Sequence, residues 1–90
     1  KEMNESHKIH DLKILPKYFN AVLKGLKTFE LRKDDRDYEV GDYLRLREWD
    51  EEYTGNFTTV RVLGILQNCP EYGLMDGYCI MSIEKVDAYE

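Results

Sequence analysis

Hydrophobic spacing along this chain changes period sharply at Gly25. Upstream, Tyr18, Phe19, Val22, Leu23 and Leu26 recur every three or four residues, one stripe of an amphipathic helix. Pro16 suits the first helical turn and Gly25 the stop, which predicts a helix over Pro16–Lys24. A helix this short depends on packing against something else. Downstream, the period is two. Lys27–Lys33 sets Thr28, Glu30 and Arg32 on one side and Phe29 and Leu31 on the other. Tyr43–Trp49 repeats the pattern, with Leu44 and Leu46 opposite Arg45, Arg47 and Trp49.

The remaining segments complete a strand-rich chain. Lys8–Leu15 is a short strand candidate with imperfect alternation. Thr58–Leu66 is rich in β-branched residues, and Gly64 inside it marks a bulge or bend. Tyr78–Val86 is the last strand. Asp34–Asp37, Asp50–Asn56 and Asn68–Gly77 read as loops, and Gly41-Asp42 as a turn. The expected fold is mainly β (α+β) with one or two helices, a small curled sheet or barrel whose early helix covers one opening. Residues 1–7 are expected to be a flexible start and 8–90 a single domain.

Charge narrows the function classes. The net charge of −5 argues against sequence-independent grip on a long polyanion. That charge is unevenly spread. Residues 8–47 carry 10 Lys/Arg against 7 Asp/Glu, whereas residues 48–90 carry 2 against 9. Any polyanion contact is therefore expected to be local and salt-sensitive. No apolar run approaches the roughly 20 residues of a membrane span. The polar start lacks the apolar core of a secretory signal, so a cytoplasmic protein is expected. Cys69 and Cys79 lack metal spacing, and two such thiols are expected to stay reduced. On a strand His7 and His10 would face opposite sides, so a metal pair is not expected, and no cofactor is expected either.

The densest chemistry is Gly25-Leu26-Lys27-Thr28-Phe29-Glu30-Leu31-Arg32. A carboxylate and a guanidinium two apart on one strand face make either a solvated ion pair or the wall of a polar pocket. Further pieces follow in order: His10-Asp11-Leu12-Lys13, Asp35-Arg36, Gly41-Asp42, Glu48-Trp49 and Tyr53-Thr54-Gly55. Together they resemble a small domain family of unknown function in the PUA-like superfamily, related to ASCH domains. The resemblance covers residues 8–64 well and the end of the chain loosely.

The resemblance implies a five- or six-stranded PUA-like β-barrel, with a ligand cleft beside the first helix and the G-x-K segment. It implies RNA or a nucleotide-like small molecule as partner. Carried over by motif, the ligand residues are Lys27, Thr28, Glu30 and Arg32, joined by His10, Lys13, Asp35 and Arg36. RNA readers also need planes for stacking, and Tyr18, Trp49 and Tyr53 offer them. Arg45, Arg47 and Trp49 form a second, weaker surface.

Each residue also has a plainer role. Tyr18 fits the core stripe of the helix, Trp49 a half-buried cover, Asp35 and Arg36 a loop-fixing pair, and His10 a hydrogen-bonded structural histidine. The leading expectation is a monomeric RNA- or nucleotide-binding module without catalysis. One ASCH branch is similar to an amidohydrolase acting on acetylated cytidine, which makes a hydrolase using Lys27 and Glu30 the first alternative. There the chain departs from the pattern, because Glu30 stands where a threonine is expected and the threonine is Thr28. A third alternative is an acidic protein-interaction module built on the second half.

Overall fold

A computed structural model describes residues 7–86. The elements run β1 (Ile9–Ile14), α1 (Pro16–Leu23), β2 (Phe29–Lys33), β3 (Tyr43–Trp49), β4 (Tyr53–Gln67) and β5 (Tyr78–Lys85), with one 3-10 turn at Pro70–Tyr72. Apart from His7, the start expected to be flexible lies outside the described residues.

The helix ends as its sequence dictates. Gly25 takes φ +75°. Its N–H donates to Val22 O, and that of Leu26 to Ala21 O, the two bonds of a Schellman stop. Lys85 Nζ donates to Leu23 O at 2.8 Å, setting a cation on the negative end of the helix. Phe19 and Val22 are buried in the core, each stabilising the docked helix by roughly 1.5–3 kcal/mol.

The five strands form one sheet in the order β1-β3-β4-β5-β2. β1 runs parallel to β3, and the other neighbours are antiparallel. β4 turns the corner. Its first half, Tyr53–Arg61, pairs with β3, and its second half, Val60–Gln67, with β5. The register slips between Val62 and Gly64, so Gly64 marks the bulge its sequence position suggests. Curling closes the inner faces around Leu12, Leu44, Leu46, Val60, Val62, Met81 and Ile83.

Two expectations need correction. The barrel is not closed: β1 and β2 are the two edges, and among the described residues no backbone ladder joins them. Side chains bridge the seam instead. Arg32 Nη2 donates to Lys13 O at 2.8 Å, and Arg36 Nη1 to Asp11 O at 3.1 Å. The fold is a half-barrel with one helix. The loop expected over Asp50–Asn56 shrinks to Asp50–Glu52, because β4 begins at Tyr53. Thr54 and Asn56 sit where the β3–β4 register shifts, and their side chains donate to Glu48 Oε1 at 2.8 and 3.0 Å.

Candidate functional site

Strand β2 is built inside out. Glu30 is buried, while Phe29 and Leu31 are about half exposed. The alternation seen in the sequence is real, but the polar side is the one turned inward. A carboxylate there is stable only if its oxygens are matched. Lys27 Nζ lies 2.5 Å from Glu30 Oε2, and Arg32 Nε lies 2.8 Å from Oε1. Lys27 also donates to Phe29 O at 2.7 Å, and Arg32 to Lys13 O.

These groups floor a cleft of about 590 Å³ between β2, the end of β1 and the start of α1. Its walls include Lys13, Leu15, Tyr18, Leu26 and Phe29. Glu30 is 2% exposed, Lys27 14% and Arg32 23%. The carboxylate is thus an anchor under two cations that still reach solvent. An ammonium has three donors and a guanidinium five. After the internal bonds, one Lys27 donor and the Arg32 Nη1 group remain for a ligand oxygen. The cleft therefore offers positive donors on an apolar, partly aromatic wall.

The other motif residues go elsewhere. His10 is buried, and its Nε2 lies 2.9 Å from Asp42 Oδ2. Asp42 is fully buried and also accepts the N–H groups of Lys8 and Glu39 at 3.1 and 3.0 Å. Burial pushes the Asp42 carboxyl up, but the His10 and backbone hydrogen bonds outweigh it and hold the group below its ordinary value. The His10 ring meets Tyr38 edge to face at 4.7 Å. Thr28 lines a separate hollow of about 220 Å³ with Val22, Gly25 and Lys85. Asp35 is exposed in its loop, and Arg36 reaches the β1 seam. Trp49 and Tyr53 stand on the outer sheet face, where Lys13 Nζ lies 4.4 Å from the Trp49 ring centroid.

Tyr18 is not a core residue. It is 43% exposed and lines the cleft. The apolar lining of Leu15, Leu26, Phe29 and Leu31 was invisible to motif reasoning, which looks for polar atoms. The alternation of Phe29 and Leu31 was readable in the sequence, but not that their side faces outward. The structural role of Asp42 was hidden because Gly-Asp reads as a turn. Among the described residues no cluster of three or more metal-capable side chains occurs, and no helix is long and apolar enough to cross a membrane.

Comparisons with known proteins follow the fold. An uncharacterized 12.9 kDa protein in the GpA 3' region of Escherichia phage P2 is 46% identical over 59 residues. The match takes in 64% of this chain but only 54% of that protein, so the chain spans about half the length of its curated relative. The crystal structure of hypothetical protein PH0355 superposes with a TM-score of 0.62 at 16% identity, covering 88% of this chain and 99% of that one. That likeness is one of fold. The domain of unknown function DUF3850 matches residues 9–83, and the chain belongs to that family.

Proposed function

We propose that this chain is an RNA- or nucleotide-binding module of PUA-like, ASCH-related type, and that the cleft between α1 and β2 receives one nucleotide. The observation that carries the reading is the pair of part-exposed cations fixed by one buried carboxylate at the floor of an apolar cleft. Lys27 and Arg32 supply donors to a phosphate or a base carbonyl. Tyr18 supplies a stacking plane, and Leu15 and Leu26 exclude water from the sugar and base. Glu30 holds the two cations in place. A nucleoside monophosphate panel titrated by calorimetry at low salt tests this. Binding to wild type and its loss in Lys27→Ala are expected. No heat with any nucleotide would overturn the reading.

A second reading, hydrolysis of an acylated nucleoside, has the 2.5 Å Lys27–Glu30 contact in its favour, since it sets a proton donor and acceptor together at the cleft floor. It expects turnover of N-acetylcytidine by wild type and none by Glu30→Gln. Absence of turnover in wild type removes it.

A further inference from the structure

The outer face of β1, β3 and β4 carries a second arrangement that shares only Lys13 with the cleft. Parallel and antiparallel register bring Lys13, Arg47 and Phe57 into one row across three strands. Strands lie about 4.8 Å apart, so the row spans about 10 Å, room for two stacked bases. Cations lie against rings there. Arg47 Cζ lies 3.9 Å from the Tyr53 ring centroid, and Lys13 Nζ lies 4.4 Å from that of Trp49. Arg45 Cζ lies 6.0 Å from the Phe57 ring. Tyr53 and Phe57 are about half exposed, and a shallow hollow of about 390 Å³ opens between Arg45, Arg47, Tyr53 and Phe57.

Charge on this face is locally positive in an acidic chain. Asp11 neutralises Arg45 through a two-pronged pair. Neither Lys13 nor Arg47 meets a carboxylate among the described residues. The acidic turn Asp50–Glu52 bounds the face beyond Trp49 and Tyr53 and repels a phosphate chain there. Lys13 also lines the cleft, so the face and the cleft meet at one side chain.

From these contacts we infer that the outer face of β1, β3 and β4 is a stacking platform for single-stranded RNA, which enters the cleft past Lys13. Bases stack on Tyr53, Phe57 and the Arg47 guanidinium plane, while Lys13 and Arg47 neutralise phosphates. This rests on the nucleotide reading of the cleft and names the polymer that would feed it. A duplex is excluded as occupant, because its bases are not free to stack.

Trp49 is the sole tryptophan, so its fluorescence reports on this face. The test titrates a 12-nucleotide oligouridylate into the protein at about 25 and 200 mM salt, with uridine monophosphate titrated separately by calorimetry. Saturable Trp49 quenching is expected, with a log–log salt slope near −1.4 for about two neutralised phosphates. Arg47→Ala and Tyr53→Ala are each expected to weaken RNA about tenfold or more while leaving uridine monophosphate binding unchanged. Arg47→Gln, which keeps the aliphatic stem, guards against a folding artefact and should weaken binding likewise. Several results would overturn the platform: RNA binding that ignores these variants but is lost in Lys27→Ala, equal binding of duplex RNA, or no quenching at low salt. Equal affinity for the DNA strand of the same sequence would overturn the assignment to RNA. Loss of uridine monophosphate binding in wild type would instead count against the cleft reading, so the two fail separately.

Discussion

Replacing Glu30 by Gln keeps the shape of the side chain and removes its charge. In the native protein two charge-assisted hydrogen bonds end on this carboxylate, at 2.5 and 2.8 Å. Hydrogen bonds to charged groups contribute about 1.5–3 kcal/mol each. The substituted amide would keep one acceptor oxygen, so one contact survives in weakened, neutral form. Lys27 and Arg32 are 14% and 23% exposed and recover part of their hydration, which lowers the cost further. The net loss expected is about 2–3 kcal/mol. For a domain of this size that lowers Tm by roughly 10–20 °C. Urea unfolding followed by Trp49 fluorescence and by circular dichroism measures it, with the midpoint falling and the slope unchanged. Because the pair is buried, the loss should persist at about 0.5 M salt. The half-exposed Asp11–Arg45 pair serves as the control, since salt should erase the effect of breaking it. A Glu30→Gln loss below about 0.5 kcal/mol would mean that Glu30 behaves as a solvated strand residue. β2 would then not be held by an inward, paired carboxylate.

Asp42, whose carboxyl is held below its ordinary value of 3.8, contributes stability above that pH and loses it as pH falls through the lower folded value. Acid titration of stability should therefore steepen below about pH 4, and Asp42→Asn should flatten that limb while destabilising the protein at neutral pH. Burial pushes the Cys79 thiol up to about 11, with Asp34 and Asp35 adding to the effect. The native thiol should stay silent toward an aromatic disulfide reagent at pH 8 and react only after unfolding. Gly41 has φ +97°, and an added Cβ would meet His7 Nε2 at 2.6 Å. Gly41→Ala should cost about 1–3 kcal/mol in urea unfolding, and an unchanged midpoint would refute the close packing of His7.

Period was the legible part of the fold. The switch at Gly25 located α1 and β2, and Gly64 located the bend in β4. What period does not encode is which side of a strand faces in. At β1 the apparent irregularity was a buried His10 filling an apolar slot because Asp42, thirty-two residues away, satisfies it. At β2 the apolar residues face out because Lys27 and Arg32 converge on Glu30. Both outcomes depend on partners that only the folded chain brings close. The candidate site divides the same way. Lys13, Lys27, Glu30 and Arg32 share the cleft, whereas His10, Thr28, Asp35 and Arg36 serve other places. Proximity in the sequence to a motif did not distinguish them.

The open seam and the cleft have one cause. A closed barrel would set the β2 backbone against β1 and give the carbonyls of Asp11 and Lys13 to amide donors. Here guanidinium groups from Arg36 and Arg32 take those carbonyls instead. A side-chain bridge is longer than a backbone bond, so it holds the two edges apart while still satisfying the edge of β1, which would otherwise be open to pairing with another chain. Arg32 can do this only because its Nε is fixed by Glu30, which Lys27 fixes from the other side. The inward carboxylate that looks misplaced in β2 is thus what keeps the seam bridged and spaced. The space so preserved is the cleft, with Tyr18 and Leu26 on one wall and two cations on its floor.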